Sequence, residues 1–178
     1  MIRPLACLLA MSMPALASTA GAPDAQAAAA RVNELFGQAI RDAQASPGHD
    51  DNVGLARRLL DAAQHDSRQA EMAAALCDAA YGLASPAPQG LDLAAEAMEL
   101  LAQRVPDRAA DAAQKLLAIR RRQYGAAPAS ERPAMGERFI DSLTGVADAL
   151  AAGGKYADAI SYLRQAVSVA AGIRSARQ

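Results

Sequence analysis

The sequence predicts an all-α protein of stacked antiparallel helical hairpins, an α-solenoid-like array of about six to seven helices. Three observations lead there. Hydrophobic residues make up 52% of the 178 positions but aromatics only 3%, with no Trp, and most of that apolar content is alanine and leucine, which are among the strongest helix formers. The larger apolar residues recur at spacings of three and four between Pro- and Gly-rich breaks, which places them on single helix faces. No segment alternates Val, Ile, Thr or aromatic residues with polar ones, so no strand is expected.

The first residues read as a targeting segment. Met1-Ile2-Arg3-Pro4 is a short basic start, and Leu5 to Leu16 is an apolar run too short to span a bilayer as a helix. Ala15-Leu16-Ala17 has the small-x-small form of a cleavage site, and Ser18-Thr19-Ala20 offers a second. Residues 1–17 are therefore expected to be a signal peptide cut after Ala17 or Ala20, with export to the periplasm or beyond the cell. Residues 18–30, Ala-rich and with little pattern, are expected to be a flexible leader ahead of a helical domain over 31–174.

In that domain Val32, Leu35, Phe36, Ile40 and Ala43 form an amphipathic stripe ending near Ala45, and Ser46 to Asp50 is a loop. Asp51 or Asn52 can cap the next helix, which carries Leu55, Leu59, Leu60 and Ala63. After a turn at His65-Asp66-Ser67, a third helix holds Met72, Leu76, Ala79, Ala80 and Leu83, and Ser85 to Gly90 breaks it. The fourth carries Leu93, Ala97, Leu100 and Leu101. Val105-Pro106-Asp107 makes the next turn, with the proline suited to a first helical turn. Ala109, Ala113, Leu116 and Ile119 mark the fifth helix, and Tyr124 to Pro133 is a longer connection to an extended sixth.

The last pair is the most specific. Leu143, Ala147 and Leu150 form one stripe, Gly153-Gly154 ends the helix, Lys155 and Tyr156 begin the return, and Ala159, Leu163 and Ala166 form the facing stripe. Small residues at 147, 159 and 166 allow close approach of the two backbones. At these spacings, with Gly154 and Tyr156 in the turn, residues 140–171 resemble a tetratricopeptide repeat, although Ala171 stands where that family closes with proline. Leu93, Ala97, Leu100, Ala109 and Leu116 repeat the phase more weakly over 90–123, without the Gly-x-Tyr turn. They lie 50 positions earlier, about 16 more than the usual period. The resemblance implies a protein-interaction module whose groove is lined by the first helix of each pair. In the last repeat that gives Asp141, Thr144 and Asp148 as partner-facing residues.

Charge and chemistry narrow the function classes. Removing residues 1–17 takes away only Arg3, so 17 basic residues stand against 19 acidic and the net charge moves from -1 to -2. That balance argues against nucleic-acid binding and gives no electrostatic pull to an anionic membrane; no stable membrane insertion is expected after signal cleavage. Cys77 alone of the two cysteines remains after cleavage, so no internal disulfide is possible. Mid-helix, it reads as a small packed core residue. His49-Asp50-Asp51 looks metal-like, yet adjacent residues on one loop seldom converge on an ion without further ligands. No metal or cofactor is expected, and no acid–base set or phosphate loop points to an enzyme. Arg120-Arg121-Arg122 is the one basic run; it complements a helix C-terminus and, with Arg121 beside Tyr124, offers a docking patch for an acidic partner. The expected function is an exported, non-catalytic adaptor or scaffold that binds another protein or peptide in the bacterial envelope. The alternative is a helical bundle enclosing a small apolar ligand, lined by Met72, Met98 and Met135.

Overall fold

The computed structural model describes residues 22–46, 48–65 and 69–176. The expected signal peptide lies outside them. Seven α-helices follow in order: α1 (Ala22–Ala45), α2 (Asp50–His65), α3 (Ala70–Ala84), α4 (Leu91–Arg104), α5 (Ala109–Ala126), α6 (Arg132–Ala152) and α7 (Tyr156–Ala176). Short 3-10 turns at Pro88–Gly90 and Pro106–Arg108 precede α4 and α5. Among the described residues there is no strand. Each helix from α2 onward packs on the next, while α1 docks mainly on α3 and more lightly on α2. The architecture is all-α and repeat-like, a stack of helical hairpins.

The proline and glycine breaks fall where helices end. Pro88 and Pro106 each open a 3-10 turn, since a proline in the first turn removes only an N–H that has no helical partner. The turn between α6 and α7 is a Schellman motif. Gly154 takes a φ of 75°, the Lys155 N–H donates to the Leu150 carbonyl at 2.8 Å, and the Gly154 N–H donates to Ala151 at 3.0 Å.

Three local expectations are corrected. α1 begins at Ala22, so most of the segment read as a flexible leader is helix. Alanine propensity and Asp24 in the first turn favour it without any large apolar residue. On the same helix Val32 and Ala43 are buried but Leu35 is exposed, because it sits about 80° round from the Val32–Phe36–Ala43 line. Neither Asp51 nor Asn52 caps α2. The helix starts at Asp50, so Asp50 and Asp51 occupy its first turn and face the positive end of its dipole. Asn52 turns onto the core face and is buried, with its Oδ1 unpartnered among the described residues.

Two cores meet at α5. The larger joins α1 to α5 around Leu55, Leu59, Leu60, Met98, Leu101 and Ile119. The smaller joins α5, α6 and α7 through Leu117, Phe139, Leu143, Val146 and Ala166. α7 lays Ala159, Ala166 and Ile173, each seven residues apart, toward α6. Leu163 does not join that stripe and is exposed. It lies about 40° from Ala159, on the side α6 does not reach.

Candidate interaction groove

α6 takes its packing from α5 and α7, so α4 and α6 stand apart and leave a groove floored by α5. Its volume is about 310 Å³, and its lining is Glu99 from α4, Ala113, Leu116 and Arg120 from α5, and Arg138, Asp141, Ser142 and Gly145 from α6. The floor is small and apolar at Ala113 and Leu116, and Gly145 keeps the α6 wall low. The rims are charged. Arg120 is only 12% exposed, and its guanidinium donates to Glu99 at 2.6 Å and to the side-chain carbonyl oxygen of Gln123 at 2.9 Å. That pair fixes the α4 side. Arg138 and Asp141 are exposed and enter no ion pair among the described residues. Ser142 spends its hydroxyl on the Arg138 carbonyl of its own helix at 3.1 Å.

The residues expected to face a partner do not all converge. Asp141 lines the groove. Thr144 is half-buried and donates its hydroxyl to the Ile140 carbonyl at 3.0 Å. Asp148 is exposed two turns further along α6 and lines neither this groove nor a second cavity of about 360 Å³, which lies between the start of α5 and the end of α6. The three arginines of the basic run point three ways, as residues 100° apart must. Arg120 enters the groove, Arg121 is exposed, and Arg122 donates to the Ser85 and Pro86 carbonyls between α3 and α4. They do not form one basic patch. Tyr124 stacks on Phe139 with ring centroids 5.7 Å apart and belongs to the smaller core, so its ring is engaged in packing.

No family model, no curated protein and no solved structure matches this chain. Its chemistry is therefore read from its own residues. Among those described, no group of three or more His, Cys, Asp or Glu is placed to hold a metal ion, and no helix is long and apolar enough to cross a membrane. His49 is exposed on its loop, and the His65 Nδ1–H donates to the Asp61 carbonyl at 2.7 Å. Cys77 is fully buried. Burial, reinforced by the negative charge of Asp78 and opposed by Arg104, pushes its thiol up to about 12, so it carries no thiolate at neutral pH.

One charged network was not expected from the sequence. Asp78 on α3 meets Arg108 at 3.1 Å and Lys115 at 2.9 Å, and Asp111 meets the same two cations at 2.8 and 3.1 Å. The Lys115 ammonium also lies 5.6 Å from the Tyr81 ring centre, within cation–π range. Arg108, Asp111 and Lys115 share an i, i+3, i+7 face that is legible in the sequence, whereas Asp78 lies 30 and 37 positions away. The network ties α3 to α5 on the side away from the groove.

Proposed function

We propose that this chain is an exported, non-catalytic helical-repeat protein of tetratricopeptide-like type, acting as a protein–protein adaptor or scaffold in the bacterial envelope. The observation that carries the reading is the open groove between α4 and α6. An apolar floor bordered by Arg138 and Asp141, two oppositely charged groups without ion-pair partners among the described residues, suits a peptide or loop carrying small apolar and charged side chains together. Such a segment can pair both charges and desolvate the floor at once. The near-neutral balance of basic and acidic residues supports a protein partner over nucleic acid. The methionines of the apolar-ligand alternative give that reading no common site: Met98 is fully buried in the larger core, Met72 only packs against that core, and Met135 belongs to neither core.

The test is affinity capture from envelope extract followed by direct binding to whatever is recovered. Wild type is expected to retain a specific protein. Asp141→Arg weakens that binding at least tenfold, about 1.4 kcal/mol, while Asp148→Arg, outside the groove lining, changes it much less. Equal binding by wild type and Asp141→Arg removes the groove from the account. Recovery of an extracted apolar small molecule and no protein replaces the adaptor with the alternative.

A further inference from the structure

Among the described residues, α7 is packed on one side only. α6 is its neighbour, and a side about 90° round from the Ala159–Ala166–Ile173 stripe carries Tyr156, Ile160, Leu163 and Val167, exposed by 65, 48, 43 and 68%. Their spacing of 4, 3 and 4 residues sets them in one ribbon along the helix. Together they leave roughly 450 Å² of side-chain surface uncovered, within the range of the largest apolar patch on an ordinary monomer, which is often a functional one.

We propose that this ribbon is a dimer interface: α7 of one copy lies antiparallel on α7 of a second, related by a two-fold axis. The register follows from the spacing. Reversing the helix sets Tyr156 of one copy on Val167 of the other, and Ile160 on Leu163. Each contact occurs twice, as an isologous interface requires. The flanking charge chooses the direction. In the antiparallel pair Arg164 falls between Ala157 and Ser161 of the other copy, whereas a parallel pair would set Arg174, on the ribbon's own line, against Arg174 of the other copy, like charges in the seam. Complete burial of the four residues in both copies would cover about 900 Å², the size of a weak, reversible pair. This dimer leaves the α4–α6 groove of each copy free, and it stands whether or not that groove binds a partner.

Sedimentation and light scattering of the full chain test it. Wild type is expected to have the mass of a dimer at about 100 μM and to dissociate on dilution. Ile160→Glu and Leu163→Lys each give a folded monomer, with a helical circular dichroism spectrum like that of wild type. Mixing the two variants restores a dimer, because the glutamate introduced at position 160 of one copy then faces the lysine introduced at position 163 of the other, and the second pair stays Leu163 on Ile160. A wild type that remains monomeric overturns the proposal and leaves the ribbon to another occupant, such as an apolar peptide or a second protein. Dimers that persist in both variants overturn it by placing the interface elsewhere, and a mixture that stays monomeric overturns the antiparallel register.

Discussion

Asp111 shows how much a surface network contributes. Its carboxylate is held below the usual carboxylate range, first by the hydrogen bond from Arg108, which burial opposes and which the hydrogen bond from Lys115 and the charges of Lys115 and Arg108 reinforce. Burial pulls the Lys115 ammonium down, but hydrogen bonds to Asp78 and Asp111 and their charges outweigh it, so Lys115 ends above its ordinary value. The two signs set the window. Asp111 contributes fully above its unfolded value near 4 and loses that contribution as pH falls through its folded value. Lys115 contributes fully below about 10.4 and loses its share only as pH climbs through its folded value. The network is therefore constant across neutral pH and fails in acid. Its side chains are roughly one-third to one-half exposed, so water screens each pair to roughly 0–1 kcal/mol. Asp111→Asn is expected to lower Tm slightly at pH 7 and to converge with wild type as pH falls through the folded value of Asp111. Thermal melts from pH 2 to pH 9 check this, and two curves separated by a constant amount throughout would show that the Asp111 charge contributes nothing.

At the scale of elements, two glycines border helices for different reasons, and their substitutions separate the reasons. Gly154 needs its positive φ, so Gly154→Ala costs about 1 kcal/mol of backbone strain. Gly90 has an ordinary φ of -90°, yet its Cα backs onto the Ala84 carbonyl, and an added methyl would overlap that main-chain oxygen. No side chain can yield there, so α3 and α4 must separate, at about 2–3 kcal/mol. Urea melts are expected to rank Gly90→Ala as the more damaging, and the reverse order would refute the close-approach argument. The contrast also marks what could be read in advance. The Gly153-Gly154 turn and the proline-led turns announce themselves, because their chemistry is local. The overlap at Gly90 depends on how α3 meets α4, and no periodicity encodes that. Leu35 and Leu163 show the same limit: spacing identifies an apolar residue on a helix but not the side on which the neighbour arrives. Asp141 and Asp148 share a face, yet they stand about 10 Å apart along α6, and only the first borders the groove. Tyr124 was visible as an aromatic beside a basic run, but its Phe139 partner lies 15 positions on, across a turn.

For the whole molecule, the division into two cores around α5 determines how the fold comes apart. The larger core has many buried leucines spread over α2, α3 and α4, while the smaller relies on Leu143, Val146, Phe139 and Leu117 to hold the α6–α7 hairpin onto α5. Fewer buried large side chains mean a smaller free energy of local opening. α6 and α7 are therefore expected to exchange their amide hydrogens at lower free energy than α2 to α5. Leu143 is completely buried in the smaller core, so Leu143→Ala removes about 2–5 kcal/mol, a large share of what fixes that hairpin. Under native conditions this variant should lose protection across α6 and α7 and keep it across α2 to α4. Leu59→Ala, equally buried in the larger core, should lower protection everywhere, because the hairpin has no platform once α5 is released. Hydrogen exchange resolved by peptide separates these outcomes. Uniform loss across all helices in Leu143→Ala would mean that α5 transmits the damage and that the two cores unfold as one.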